Sequence, residues 1–298
     1  MEFFKTYMGQ SLALLTAVTW AFAVILFKKS GEAVHPIGLN LFKNTLAVAL
    51  LIPTVWLFGE TLFYPASTGD YLLILASGAL GIGISDTLFF MSLNTLGAGL
   101  IAIVDCLYSP FIILLSFLWL GEVLNIWQVI GVILIVSAVL TATREKNNGP
   151  VDRRRVFWGL FYGVMAMAVM AVGIVMIKPV LDRSPLFWVT TVRLFGGVLV
   201  LLVILIFHPA RKKIVGSIGS PKRWGYTLSG SFTGAYLAMV LWLAGMKFTQ
   251  ASIASALNQM SNVFIFIFAA LLLKEKLTLF RVLGIILGFG GTLLVTFG

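Results

Sequence analysis

Charged residues are scarce in this sequence, because Lys, Arg, Asp and Glu together make up only 11% of its 298 residues. A soluble domain carries about 25% charged residues. Here 60% of the residues are hydrophobic, and the mean hydropathy is +1.03. The composition therefore argues against a soluble enzyme or binding module. It favours a chain that lies largely within a lipid bilayer.

Cysteine and histidine are also nearly absent. Cys106 is the single cysteine, which excludes a disulfide within the chain. The two histidines, His35 and His208, each precede a proline and belong to no cluster of metal ligands, so we predict neither a metal site nor a cofactor. We find no nucleophile paired with a base and no phosphate-binding loop. The sequence thus predicts no enzyme, and no primary pump unless a partner subunit supplies the ATPase.

Acidic residues are fewer than basic ones, 11 against 21, which gives a formal net charge of +10. In a membrane protein such an excess ordinarily belongs to loops that set the topology. We therefore expect the lipid bilayer as a partner and no nucleic acid.

What the chain does contain is long apolar runs. A helix that spans a membrane needs about 20 mostly apolar residues, and the runs here are continuous rather than alternating, which disfavours a barrel. The sequence predicts an all-α membrane protein of ten transmembrane helices. The runs lie near residues 10–27, 37–58, 71–93, 98–120, 126–143, 156–177, 186–207, 224–246, 250–273 and 279–297.

An internal repeat organises these runs into two halves. A shift of 150 residues places Lys28 on Lys178 and Lys43 on Arg193, and in the later runs a shift of 153 places Glu122 on Glu275. We predict a first five-helix repeat at 7–143, a basic linker at 144–155 and a second repeat at 156–298. Because five is odd, the two copies enter the membrane from opposite sides. Such inverted repeats are typical of transporters, with the substrate site near the midplane between them.

Several short motifs recur in order in both halves and resemble a known family. They include Thr19-Trp20-Ala21, the Pro36 to Lys43 and Pro185 to Arg193 segments, Ser109-Pro110, Leu120-Gly121-Glu122 and Leu273-Lys274-Glu275-Lys276-Leu277. The whole chain resembles EamA-type transporters of the drug/metabolite transporter superfamily. The resemblance implies a ten-helix secondary carrier, often an exporter of amino acids and other metabolites. The chain departs from the pattern at Val263, which replaces a proline, and at Met170, which replaces a tryptophan.

Two aspartates stand inside the apolar hairpin that Gly81 to Glu122 is predicted to form. Asp86 and Asp105 are equally distant from the turn near 94–97, about 14 Å along each leg at ~1.5 Å per residue. That depth is close to the bilayer midplane, where an ionisable residue indicates a functional site. Neither aspartate belongs to the family pattern.

A stripe of polar residues follows Asp105 at helical spacing, and its counterparts recur in the second half. The stripes are predicted either to line a central cavity or to hold helices together by hydrogen bonds. The first stripe contains Asp105, Tyr108 and Ser109, and the second contains Asn258, Gln259, Ser261 and Asn262.

Two cations and one tryptophan complete the candidate site. Lys43 lies about 10 Å into its helix, from where its ammonium group can reach Asp86 or Asp105. Arg193 is its counterpart, but that half offers Asn258 and Met239 in place of the two acids. A structural role for both cations is the alternative interpretation, since the family usually has a basic residue at this position. Trp20 is a candidate for the wall of the pathway.

These residues leave two functional hypotheses. The first is a secondary active transporter of a small polar, amino-acid-like metabolite, working by alternating access as a monomer or homodimer. The alternative is an exporter of cationic drugs or polyamines. Proton coupling through Asp86 and Asp105 is predicted if the pair holds one exchangeable proton. A structural ion pair between Lys43 and one aspartate explains the same residues without coupling.

Loop charges predict the orientation in the cell membrane. Of the 21 Lys and Arg residues, four lie on the face that carries the termini and fifteen on the opposite face, with Lys43 and Arg193 inside. Lys and Arg concentrate on the cytoplasmic side. The count therefore places both termini outside and the 144–155 linker inside.

Overall fold

The structure is a computed structural model that describes residues 2–120, 125–143, 153–219, 223–248 and 251–297. The regular structure in these ranges is helical. Within the described residues, seven helices are long and apolar enough to cross a membrane, and three shorter apolar helices accompany them. The protein is therefore an all-helical, multi-pass membrane protein.

Each of the ten predicted apolar runs coincides with helical structure, which we label in chain order. The labels are α1 (Glu2–Ser30), α2 (Pro36–Leu57), α3 (Thr68–Gly78, Ala79–Ser85 and Asp86–Leu96), α4 (Ala98–Asp105 and Tyr108–Leu120), α5 (Ile126–Thr143), α6 (Arg153–Arg183), α7 (Leu186–Phe207), α8 (Trp224–Gly230, Ser231–Ala238 and Met239–Phe248), α9 (Ala251–Leu272) and α10 (Leu279–Phe297). A short helix, Arg211–Ile218, joins α7 to α8.

The ends of these helices follow from local sequence signals. At the start of α2, Pro36 occupies the first turn and the Ile37 backbone N–H donates to His35 Nδ1. Ser67 caps α3 by accepting from the Asp70 N–H. Between α3 and α4, Gly97 has a φ of +89°, a conformation that a residue with a Cβ rarely adopts. This glycine permits the very short turn of the hairpin.

Three of the predicted continuous helices are interrupted. The middle segments of α3 and α8, Ala79–Ser85 and Ser231–Ala238, are π-helical. The 153-residue shift carries 79–85 onto 232–238, so the two interruptions occupy equivalent positions. π-Helical segments occur frequently at functional sites, and the one in α3 ends directly before Asp86.

The third interruption lies in α4 and has a clear cause. Proline has no backbone N–H and its ring crowds the carbonyl four residues earlier, and for Pro110 that carbonyl belongs to Cys106. The Cys106 and Leu107 N–H groups instead donate to Ile103 and Val104 in tight turns. In the second half Val263 stands at the equivalent position, and α9 is continuous.

The helix ends form two opposite faces. On the linker face, which carries the 30–36 connection and the α3–α4 turn, Ser30 hydrogen-bonds Thr227 and Arg223 pairs with Glu32. On the terminal face, which carries the 57–68 and 183–186 connections, Arg183 pairs with Asp70 at 2.5 Å. Between the faces, α1 packs on α8 and α9, α7 on α2 and α3, and α5 on α10.

The packing of α7 on α3 depends on two glycines and generates a first prediction. A Cβ at Gly196 would overlap the Leu75 carbonyl, and a Cβ at Gly78 would overlap the Arg193 carbonyl. Gly196→Ala should lower the free energy of unfolding by about 1–3 kcal/mol through overpacking. Gly290→Ala, in α10, meets no atom within 4 Å and serves as the control. The thermal unfolding midpoint in detergent measures both, and equal midpoints would contradict the close approach of α7 to α3.

Candidate functional site

A cavity of about 170 Å³ lies between the two halves of the chain. Nine of the eleven predicted site residues line it, and two do not. Ser109 and Asn262 are buried outside its wall. The nine are Trp20, Lys43, Asp86, Asp105, Tyr108, Arg193, Asn258, Gln259 and Ser261.

The Lys43 ammonium group forms an ion pair with Asp86, with 2.6 Å between Nζ and Oδ2. The Lys43 side chain is only 2% exposed. Its Nζ also donates to Asn44 Oδ1 at 3.2 Å and lies 5.6 Å from the centre of the Phe90 ring. Of the two acids that Lys43 was predicted to reach, it contacts Asp86. This pair compensates one charge of each sign in the wall of the cavity.

An amide network behind this pair joins α2 to the π-helical segment of α3. Asn40 Nδ2 donates to the Ile82 and Gly83 carbonyls at 2.8 and 3.1 Å. Asn44 Nδ2 in turn donates to Asn40 Oδ1 at 2.8 Å. The Asn40 side-chain amide thus donates hydrogen bonds to two backbone carbonyls of the π-helical segment. The network fixes the segment that places Asp86, and the sequence analysis did not identify it.

Arg193 reaches the cavity from the second half. Its Nε donates to Ser77 Oγ at 3.1 Å, and Ser77 Oγ donates to the Gly173 carbonyl at 2.6 Å. The side chain is buried, at 4% exposure. Within the described ranges no carboxylate lies within ion-pair distance of its guanidinium group. Arg193 therefore brings a positive charge to the cavity without a paired acid there.

Asp105 brings the opposite charge. It lies at the end of the first segment of α4, where Pro110 interrupts the helix. No Lys or Arg among the described residues is within ion-pair distance of its carboxylate, and the Asn262 side chain is its polar neighbour. Tyr108 follows on the same wall of the cavity. A discontinuous helix beside the cavity is a common way of presenting polar groups to a transported ligand.

The amides of α9 form the other polar wall. Asn262 Nδ2 donates to Gln259 Oε1 at 2.7 Å, so Asn262 supports Gln259 from behind the cavity. In the described part of the chain, Asn258 Oδ1 and Asn262 Oδ1 are buried without a hydrogen-bond partner. A buried polar atom without a partner costs free energy unless a ligand or water supplies one. Asn258 is the one of the two that lines the cavity.

Twelve of the lining residues lie outside the predicted set, and two of them are repeat counterparts of residues within it. The repeat shift relates Trp20 to Met170 and Asp86 to Met239, and all four line the same cavity. The shift also relates Phe89 to Trp242, another lining pair. A search for the counterpart of each candidate would have found Met170 and Met239, because a site between two repeats receives both members of a pair. Three other lining residues have no repeat counterpart in the cavity: Thr16, Met167 and Ile174.

Aromatic side chains close one side of the cavity. The Trp20 ring lies 6.2 Å from the ring of Phe89 and 6.4 Å from that of Phe27, measured between centroids. Trp20 and Phe89 line the cavity, whereas Phe27 lies behind them in the core. The part of the cavity lining that Trp20 and Phe89 form is thus apolar. Among the described residues there is no group of His, Cys, Asp and Glu that could hold a metal ion.

Comparisons with known proteins agree with this architecture. The model of the EamA-like transporter family matches residues 7–144 and again 157–297. An uncharacterized transporter of Archaeoglobus fulgidus is 25% identical over 274 residues, which is 92% of each chain. One of Methanothermobacter thermautotrophicus is 25% identical over 230 residues, covering 76% of this chain and 63% of its own.

A shorter match and a solved structure complete these comparisons. The uncharacterized transporter YxxF of Bacillus subtilis is 29% identical over 143 residues, covering 47% of this chain and 44% of its own. A crystal structure of a protein with 18% identity matches with a TM-score of 0.68, over 97% of this chain and 95% of its own. At that identity the structural match shows a shared fold alone.

The ion pair between Lys43 and Asp86 generates a second prediction. Breaking a buried pair leaves one uncompensated charge, so Lys43→Met and Asp86→Asn should each lower the free energy of unfolding by about 3–5 kcal/mol. The double variant should recover part of that loss. Arg183→Gln and Asp70→Asn break a more exposed pair and should change stability by less than about 1 kcal/mol. If the free energy lost by the Lys43→Met, Asp86→Asn double variant equals the sum of the two single losses, Lys43 and Asp86 are not coupled.

Proposed function

Because the chain belongs to the EamA-like transporter family, we propose that it is a secondary active transporter of a small zwitterionic, amino-acid-like metabolite. One observation carries the choice of substrate class. The cavity presents an acid and a base, Asp105 and Arg193, and each lacks an ion-pair partner within the described residues. A zwitterion supplies both missing charges in one molecule.

The binding mode follows from the positions of these groups. Arg193 offers a planar set of donors that suits a carboxylate. Asp105 and the unpartnered Asn258 Oδ1 accept hydrogen bonds, which suits an ammonium group. Trp242 and Met239, which also line the cavity, receive the side chain of the substrate. Lys43 and Asp86 compensate each other and act as a structural anchor of the cavity.

The proposed architecture is ten transmembrane helices in two inverted repeats, 7–143 and 156–298, joined by the basic 144–155 linker. It is supported by the position of the cavity, since repeat-related residues such as Lys43 and Arg193 meet there. The matched π-helical segments of α3 and α8 support it as well. We propose that the halves rock around α4 and α9 to expose the cavity alternately to each face.

Proton coupling is assigned to Asp105 in this proposal. In the empty carrier an unpaired carboxylate in an apolar environment is neutralised most simply by a proton. The arriving ammonium group takes the place of that proton, which leaves to the side that the cavity faces. Return of the empty carrier then requires that Asp105 be protonated again. Asp86 takes no part, because Lys43 compensates its charge.

The alternative function, export of cationic drugs or polyamines, uses the same acid but not the base. A cationic substrate would be attracted by Asp105 and repelled by Arg193 in the same cavity. The presence of Arg193 favours the zwitterion.

Transport by purified protein in liposomes tests the proposal. With an imposed pH gradient, the wild type should accumulate at least one member of a panel of radiolabelled amino acids against its concentration gradient. Asp105→Asn should abolish this uphill accumulation, because no proton is carried. Exchange of labelled for unlabelled substrate should persist at higher substrate concentration, because the new amide oxygen and Asn258 Oδ1 still accept from the ammonium group but the charge of Asp105 is lost. Asn258 already places an amide at the equivalent position, so the variant should fold.

Asp70→Asn is the matched control, because it makes the same chemical change at an ion-paired residue outside the cavity. Uphill accumulation by Asp105→Asn at the wild-type rate would refute the coupling role. Uptake of cations and polyamines without uptake of amino acids would favour the alternative function.

The orientation is a separate prediction. We propose that the linker face is cytoplasmic and that both termini lie outside, because fifteen basic residues belong to the linker face and four to the terminal face. A reporter enzyme that is active only in the cytoplasm should be silent when fused after residue 298 and active when inserted in the 144–155 linker. The reverse pattern would contradict the charge count.

A further inference from the structure

A carboxylate from the second half holds the start of α4 on the linker face. Glu275 lies in the connection between α9 and α10, and its two oxygens accept from the Ala98 and Gly99 backbone N–H groups at 2.8 and 3.1 Å. These N–H groups belong to the first turn of α4 and have no carbonyl partner within the helix. A negative charge at a helix N-terminus is also favoured by the helix dipole. The contact joins the two halves of the chain.

A lysine holds the other side of the same turn. Lys28 Nζ, from α1, donates to the Leu93 and Asn94 carbonyls at 2.9 and 3.2 Å. These carbonyls end α3, where a positive charge is favoured for the same reason. The α3–α4 turn is therefore held at both of its helix ends by side chains of opposite charge, from α1 and from the α9–α10 connection.

The site is shaped for this contact. A Cβ at Gly97 would lie 2.9 Å from Glu275 Oε1, and one at Gly99 would lie 3.1 Å from Oε2, so the glycines make room for the carboxylate. Lys274, directly before Glu275, adopts a φ of +55°, which is uncommon for a residue with a side chain. Arg281 Nη1 lies 3.6 Å from Glu275 Oε2.

The carboxylate, the lysine, the two glycines and the arginine of this contact occur together once in the sequence. Under the repeat shift, the carboxylate recurs as Glu122 and the lysine as Lys178. The two glycines do not recur, since Gln250 and Ser252 stand at their positions, and Gln128 stands at the position of Arg281. The arrangement is therefore particular to the linker face.

We propose that Glu275 is the residue that locks the linker face shut, and that the protein rests with this face closed. The inference builds on the proposed transport function, because a lock matters only in a carrier that opens each face in turn. Opening the linker face separates α4 from the α9–α10 connection, and this requires that both hydrogen bonds from the α4 amides be released. The strength of this contact then sets the fraction of molecules that expose the cavity to the linker side.

A single reporter cysteine tests the lock. Ala102 is fully buried in α4, one turn from Ala98 on the lock side and three residues from Asp105 on the cavity side. Cysteine is placed there by Ala102→Cys in a Cys106→Ser background, and labelled with a membrane-impermeant thiol reagent in detergent and without substrate. The Cys106→Ser protein alone should label negligibly.

Glu275→Gln should raise the labelling rate of this cysteine roughly tenfold, because an amide presents one donor to the α4 amides and loses the charge-assisted hydrogen bonds. Glu32→Gln is the matched control: Glu32 lies on the same face and pairs with Arg223 in a partly exposed position. Its labelling rate should equal that of the parent. Equal rates for Glu275→Gln and Glu32→Gln would overturn the lock.

A shorter acid decides the case if Glu275→Gln does not fold. Glu275→Asp keeps the charge but shortens the side chain by one methylene. Its carboxylate then cannot accept hydrogen bonds from both the Ala98 and Gly99 N–H groups, so the labelling rate must still rise. An unchanged rate in this variant overturns the proposal. Because labelling needs no substrate, increased labelling in a protein that transports nothing would refute the transport function alone. Proton-driven transport with unchanged labelling would refute the lock alone.

Discussion

A buried lysine ammonium group is costly without an anionic partner, and the pairing of Lys43 with Asp86 shapes the cavity. An unpaired ion in a low-dielectric interior costs several kcal/mol, so Lys43 and Asp86 remain together at 2.6 Å. The pair ties α2 to the π-helical segment of α3, with Asn40 satisfying the carbonyls of that segment. It also removes one of the two aspartates from consideration as a binding group. Among the described residues, Asp105 and Arg193 are then the charged groups of the cavity that lack an ion-pair partner.

The repeat and the shared location of the two acids could be predicted from the sequence, because both depend on position along regular helices. The ten runs coincide with helices, and Asp86 and Asp105 line one cavity. The polar stripes were predicted only in part. A stripe at helical spacing covers a broad face, and Ser109 and Asn262 lie at its edge, outside the cavity.

Other features depend on contacts between distant segments, which a single sequence does not reveal. The packing of α2 on α3 determines that Lys43 contacts Asp86 and not Asp105. The π-helical segments leave no clear trace in the hydrophobic pattern. The break in α4 was within reach, because Pro110 and its replacement by Val263 were both visible in the sequence. Reading the proline as a structural interruption, and not only as a motif, would have predicted it.

Two asymmetries distinguish the halves of this protein. The cavity is acidic on the side of α4 and neutral on the side of α9, and the linker face alone has the glycines that admit the Glu275 carboxylate. In a carrier built from repeats, perfect symmetry would give two states of equal free energy. In the proposed transport cycle, differences between the halves would supply both a substrate orientation and a preferred resting state.

The central claim is that the cavity recognises two opposite charges in one ligand. The most direct measurement is the thermal stabilisation of the purified protein by ligands matched in side chain, since a ligand that binds the folded state alone raises the unfolding midpoint. An amino acid, its amide without the carboxylate and its analogue without the amino group form such a set. We expect only the intact amino acid to stabilise the protein, and we expect Arg193→Met to remove this effect. Stabilisation by the cationic amide equal to that by the amino acid would contradict it.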